Sequence, residues 1–356
     1  MGASWFQEAI MHGRRERKAG KERQHDLPLS REQRRHTHQN APRIVTVGDL
    51  VADLVLPIAQ LPIQPGAFIE ARELRIEPGG IGNVLITGAR LGMEMLALGV
   101  LGADPFGDAV METLAREGVN VTLVERAGTT TVAVVLTDDQ AHHAFIGAYG
   151  HGPAVSLTEP WLMAITEADA VLTSGYSLRE MRLQAATLDC LEAARSCNVR
   201  IFVDAGPEAG QLDPHVWNRV LQVTDVLLAT EEEMASLTPG EPSQVLAYGP
   251  AAVVVKQGSR GCQVWSNEDH WVVPALPVET VDTAGAGDCF AAAFMLGVCL
   301  GLGWEKAAQL ANAAGAAKVQ RRGTGRQMPS ATEISALLAH SGSDLRLPVA
   351  ANEGDR

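Results

Sequence analysis

From residue 43 onward, apolar runs of strand length alternate with amphipathic runs of helix length, and this alternation constrains the fold of the 356-residue chain more than any other feature. IVTVGDLVA (Ile44 to Ala52) reads as a buried strand and GNVLITGARLG as a helix closed by glycine. MLALGVLG (Met95 to Gly102) follows as strand, PFGDAVMETLAREG as helix with Pro105 near its start, and VNVTLVE as strand. AVLTSG (Ala170 to Gly175), VRIFVDAG (Val199 to Gly206), DVLLAT (Asp225 to Thr230) and AAVVVKQG (Ala251 to Gly258) continue the series, with helical stretches between most of them. Parallel strands need such crossovers, and near-continuous apolar strands need cover on both sides. The pattern therefore predicts a mostly parallel α/β sheet with helices on both faces.

Two stretches break the rhythm. Leu56 to Ile76 and Thr129 to Tyr149 read as strands with polar alternation, the second folding back around Thr137-Asp138-Asp139-Gln140. They predict a small projecting sheet, with its strands within about 54–78 and 128–150. Residues 1–42 carry nine Lys/Arg against five acids and no apolar signal core, which predicts a disordered basic extension or an interaction arm. The folded domain is expected over 43–343 and a loose tail over 344–356.

Charge and cysteine usage exclude several functions. A net charge of −13 opposes nonspecific binding to nucleic acid or anionic membranes, so an anionic substrate needs a local positive site or a metal. The longest apolar run, Cys289 to Trp304, is shorter than the ~20 residues of a spanning helix and reads as a buried one. Five cysteines without paired or CxxC spacing predict free thiols in a reducing, cytoplasmic compartment. No GxxxxGK[ST], GxSxG or HExxH occurs.

The stretch VDTAGAGDCFAAAF (Val281 to Phe294) concentrates the chemistry. Glycines at 285 and 287 let backbone N–H groups approach a ligand, and the apolar run that follows begins a helix whose positive end favours a phosphoryl group. Asp288 at that helix start is placed to take a proton from a hydroxyl attacking a γ-phosphate; the plain alternative is a first-turn acid after an ordinary glycine loop. Other polar residues fall where strands end: Asp53, Asp204, Thr230 to Glu233, and Lys256-Gln257-Gly258. Asp53 alone also reads as a turn residue, and Glu233 as a solvated helix acid. His142 and His143 read as exposed strand residues, and His151 as a residue near the projecting sheet within reach of substrate.

VDTAGAGDCFAAAFM resembles the C-terminal motif of the ribokinase-like (PfkB) carbohydrate and nucleoside kinases, matching at Asp282, Thr283, Gly285, Ala286, Gly287 and Asp288. The resemblance runs from about Arg43 to His340 through GDLVADLVL, PGGIGN, GADPFGD, TEEE, KQGSRG and AAQLANAAGAAKVQRRGTG. It implies a three-layer α/β/α sandwich with a β-sheet lid, and an ATP-dependent phosphotransferase acting on a hydroxyl, by expectation a hydroxymethyl, of a small sugar. By the same resemblance Asp288 is the general base, the amides of Gly285, Ala286, Gly287 and Asp288 form the anion hole, and Asp53, Gly80 and Asn83 hold sugar hydroxyls. Glu233 organises Mg2+, Lys256, Gly258 and Thr230 meet the nucleotide, and Asn312 flanks the adenine. Asp282 and Thr283 belong to a monovalent-cation (K+) site of several members. A nucleoside kinase is the alternative within the class, a sugar- or nucleotide-binding sensor the alternative outside it, and a homodimer through lid strands the implied assembly. Two departures stand out: Thr230 replaces the family's usual Asn, and the GGIGN segment is shorter than the ribokinase form, with Leu85 in place of a small residue.

Overall fold

A computed structural model describes residues 41–347 other than 141, 208 and 239. The expected basic extension lies outside the described residues except at 41 and 42, as does the tail from 348 onward. The strands, in chain order, are β1 (Arg43–Val47), β2 (Leu50–Pro57), β3 (Arg75–Gly80), β4 (Glu94–Leu101), β5 (Val124–Arg126), β6 (Thr131–Thr137), β7 (His143–Ala148), β8 (Ala170–Ser174), β9 (Arg200–Asp204), β10 (Val226–Thr230), β11 (Ala252–Lys256), β12 (Cys262–Ser266) and β13 (His270–Val273).

Nine of them form one sheet in the order β13-β12-β11-β10-β9-β8-β1-β4-β5, parallel throughout except where β12 and β13 join antiparallel at one edge. Alternate residues of each central strand enter opposite cores. Ile44, Leu172, Leu228 and Val254 face one, with the helices Gly82–Arg90, Ala286–Cys299, Trp304–Val319 and Ala331–His340. Val45, Val171, Leu227 and Val253 face the other, with Glu159–Glu167, Gln184–Ser196 and Pro214–Val223. Three layers follow from strands that are apolar on both sides. Ala286–Cys299 is buried from Cys289 to Val298 because it packs between the helices Gly82–Arg90 and Trp304–Val319, within the core on that face of the sheet. Its apolar run does not continue as one helix to Trp304: the chain turns through Gly301 and Gly303, both at positive φ, before the next helix begins.

The smaller sheet is ordered β3-β2-β6-β7, with β2 and β6 parallel and its other pairs antiparallel. The run Ile44 to Ala52, read as one strand, is two strands in two sheets. β1 ends at Val47, the chain turns at Gly48-Asp49, and β2 departs into the small sheet. The turn has polar partners a hydropathy pattern does not reveal: the Asp49 carboxylate accepts from the hydroxyls of Ser174 and Ser177, both at 3.1 Å. Within Leu56 to Ile76 only the two ends are strand, because Pro57, Pro62 and Pro65 supply no N–H for a ladder. VNVTLVE shrinks to β5: Asn120 makes an isolated bridge to Leu96, and its carboxamide accepts from both the N–H and the hydroxyl of Thr122, which turns the chain before pairing resumes at Val124.

Candidate active site

The parallel strands deliver their C-terminal ends to one edge of the large sheet. β9 ends at Asp204, β10 at Thr230 and β11 at Lys256, three neighbours in the sheet. Lys256 Nζ binds both oxygens of Asp204, at 2.9 and 2.7 Å. Burial lowers the Lys256 pKa, but the charges of Asp204 and Glu233 outweigh it and raise it overall, so the ammonium is retained. Thr230 is the N-cap of Glu231–Leu237: its hydroxyl accepts from Glu233 N at 3.2 Å while Glu233 Oε2 accepts from Thr230 N at 2.7 Å. This reciprocal pair orients Glu233 toward Lys256 and Asp204, and burial raises the Glu233 pKa. Thr230→Ala is expected to cost about 1 kcal/mol of stability and Thr230→Asn, at least as good an N-cap, almost nothing, read from denaturant midpoints at constant slope.

Above these ends lies the glycine loop. Gly285 takes φ +77°, a left-handed conformation costly for any side chain, and turns the chain into Ala286–Cys299. A Cβ on Gly287 would lie 3.5 Å from Lys256 Nζ, so the bare backbone there faces the ammonium directly. The Ala286 N–H already donates to the Thr283 carbonyl at 3.2 Å. Asp288, in the first turn of the helix, is half-buried and accepts from Asn83 Nδ2 at 2.9 Å. Asn83, near the start of Gly82–Arg90, also accepts from Gly325 N at 2.9 Å, joining three segments distant in sequence. Burial, with the nearby charge of Asp204, raises the Asp288 pKa to about 7.

Asp53 reaches the same place from β2. It is buried and stands across from Glu77 in register, with its carboxylate against Gly79, where a Cβ would lie 2.1 Å from Oδ1. Only glycine fits there. Burial and the charges of Asp288 and Asp49 push the Asp53 pKa up to about 7, and burial raises Asp49 to about 6. Gly80 closes β3 with its backbone against the Asp49 carbonyl. Asp53, Gly80, Asn83 and Asp288 are therefore brought together, and Lys256, Glu233 and Thr230 adjoin them across the glycine loop. Gly258 lies just beyond β11, whereas Asn312 gives its amide to the carbonyls of Val273 and Pro274, at 3.0 and 3.1 Å.

The histidines differ from the sequence reading. His142 is exposed but pairs with Asp138 at 2.9 Å. His143 is half-buried, because its Nε2 lies 2.9 Å from Asp282 Oδ1 and links β7 to the start of the glycine loop. Burial acts to raise the Asp282 pKa, but His143 and the N–H groups of Gly323 and Ala284 lower it to about 2. The His151 ring is at an exposed position and its backbone pairs with Thr129. Asp49, Asp204, Glu77 and its partner Arg326 (2.9 Å) also belong to the site region. Asp204 was visible as a strand-end acid, and Glu77 directly precedes PGGIGN.

Among the described residues, no helix is long and apolar enough to cross a membrane, and no cluster of three or more His, Cys, Asp or Glu is arranged to hold a metal by itself. The donors at the strand ends, Glu233 and Asp204, are hard oxygens of the kind that suits a magnesium ion shared with a phosphate ligand. The five cysteines are free thiols.

Residues 41–331 match the family described as pfkB family carbohydrate kinase. The chain is 31% identical to the ATP-dependent ribose-1-phosphate kinase of Halopiger xanaduensis over 301 residues, 83% of this chain and 98% of that protein. It is 29% identical to the ribokinase of Bacillus subtilis over 306 residues, 83% of this chain and 99% of the relative. The structure of Arabidopsis thaliana ribokinase complexed with ribose and ATP superimposes with a TM-score of 0.72 at 27% identity, covering 84% of this chain and 99% of that one.

Proposed function

We propose that this chain, which belongs to the pfkB family of carbohydrate kinases, moves the γ-phosphoryl group of ATP onto a hydroxymethyl group of a small sugar, with Asp288 as the general base. Membership makes the chain a sugar kinase, a phosphotransferase with an alcohol acceptor. One observation carries the finer reading. The Asp288 carboxylate is half-buried, oriented by Asn83, and close to neutrality in pKa, at the N-terminus of a helix and within electrostatic reach of Lys256.

Each residue then has a defined task. Asp53 grips adjacent sugar hydroxyls, with the Gly80 backbone and Asn83 completing the acceptor site. Asp288 receives the proton of the attacking hydroxyl. The amides of Gly285, Gly287 and Asp288 form the anion hole on this reading; Ala286, whose N–H is spent on Thr283, contributes its small side chain instead. Lys256 and the Gly258 turn meet the nucleotide phosphates, and Thr230 fixes Glu233. Asn312 acts on the adenine side by pinning the 273–274 segment. Magnesium, held through Glu233 and Asp204, would neutralise charge on the phosphate oxygens. The small sheet excludes water, and its exposed β7 edge supports pairing with a second copy.

A nucleoside acceptor is the second reading. It is supported by Phe145, which is 64% exposed and stacked on His143, leaving an aromatic face for a base. The intact Asp288–Asn83 contact and the Thr230 cap argue for turnover over a binding-only sensor. ADP release with ATP and magnesium over a panel of pentoses, hexoses, their monophosphates and nucleosides tests the proposal. A sugar should give saturable turnover; a nucleoside-only response would replace the acceptor, and no turnover on any member would favour the sensor.

With the pKa values of Asp288 and Asp53 both raised to about 7 and the two charges coupled, kcat/KM is expected to fall as pH drops below about 7, because the base must be ionised. Asp53→Asn removes one negative neighbour and should move that acid limb to lower pH. An acid limb that stays near 4 in the wild type would exclude this environment for the base.

A further inference from the structure

The Asp282 main-chain carbonyl already has a cation against it. Lys318 extends from Trp304–Val319 beneath the glycine loop, and its side chain is fully buried. Its Nζ lies 3.5 Å from Asp282 O and donates to Arg321 O at 2.9 Å. The stem runs under the loop, so that a Cβ on Gly285 would be 3.6 Å from Lys318 Cε. Burial lowers the Lys318 pKa, opposed by the charges of Asp282 and Asp288. A buried ammonium is costly unless oxygens surround it, and here backbone carbonyls and the nearby Asp282 carboxylate do so. The residues therefore do not fit a free monovalent ion coordinated through the Asp282 carbonyl, since the ion would share that oxygen with a like charge.

We propose that Lys318 is a built-in monovalent cation, a positioning residue whose ammonium ties the Asp282 carbonyl to the Arg321 turn and holds the Gly285 to Asp288 loop in shape, so that this chain needs no potassium ion there. The catalytic consequence rests on the kinase reading; the structural one does not.

The test compares potassium chloride with choline chloride at equal ionic strength. Wild-type protein should give the same melting temperature in both salts, and ADP release should agree within about twofold. Lys318→Ala vacates the carbonyls. In choline it should melt lower and turn over about ten- to a hundredfold more slowly, and potassium or ammonium ions should restore both properties. A potassium-specific rise in wild-type melting temperature or activity overturns the proposal, as does a Lys318→Ala protein equally stable and active in choline. If that variant does not fold in either salt, the wild-type comparison decides. The melting measurement needs no substrate, so a failed kinase assay leaves it intact.

Discussion

Asp288→Asn should lower kcat by about 10²- to 10⁴-fold while leaving the KM for ATP close to its original value. The carboxamide keeps the size of the side chain and can still bond to Asn83, but it cannot accept a proton from an attacking hydroxyl. The same substitution should stabilise the ligand-free protein. The folded-state pKa of Asp288 is raised to about 7 from 3.8, so ionisation costs stability progressively as pH rises from about 4 through 7, and that cost is absent at low pH. At pH 8 the variant should therefore gain about 1 kcal/mol or more in denaturant unfolding, and at pH 4 almost nothing. Turnover surviving within tenfold of wild type would remove Asp288 as the base whatever the stability shows.

Asp53→Ala should act chiefly on the acceptor side. Two charge-assisted hydrogen bonds to adjacent hydroxyls, each worth about 1.5–3 kcal/mol, predict a loss of roughly 10²- to 10³-fold or more in kcat/KM for the sugar. Residual ATP hydrolysis and ADP binding should hardly change. Asp53 is also buried among Asp288, Asp49 and Glu77, so its removal should lower the proton affinity of Asp288 and shift the acid limb downward. A uniform loss of sugar and nucleotide binding would point to a structural role instead.

The large sheet was legible because strands such as VLLAT and AVVVK are apolar on both faces, a pattern that suits strands covered by helices above and below. The division of Ile44 to Ala52 between two sheets was not, since what turns the chain is the hydrogen bonding of Asp49 to serines more than 120 residues away. The edge strands β12 and β13 gave too short a signal to separate from a loop. Within the site, Asp288, Asn83, Lys256 and Glu233 were named through the family resemblance, and the structure sets them near one another. Asn83's second bond to Gly325, the burial of His143 against Asp282, and the path of Lys318 beneath the loop are products of tertiary packing. A lysine in an alanine-rich helix reads as a solvated residue until its neighbours are known.

Asp53 stands on the small sheet and Asp288 on the helix Ala286–Cys299, and besides the Gly48-Asp49 turn the Glu77–Arg326 and His143–Asp282 contacts hold that sheet against the main body. On the proposed reading, the acceptor's grip and the proton's destination thus come from distant segments that these contacts already hold in register. A solitary water offers no vicinal pair for Asp53 to hold, so it is not fixed beside Asp288 as a sugar hydroxyl would be. Fidelity against wasteful hydrolysis is then expected to rest on that two-point hold.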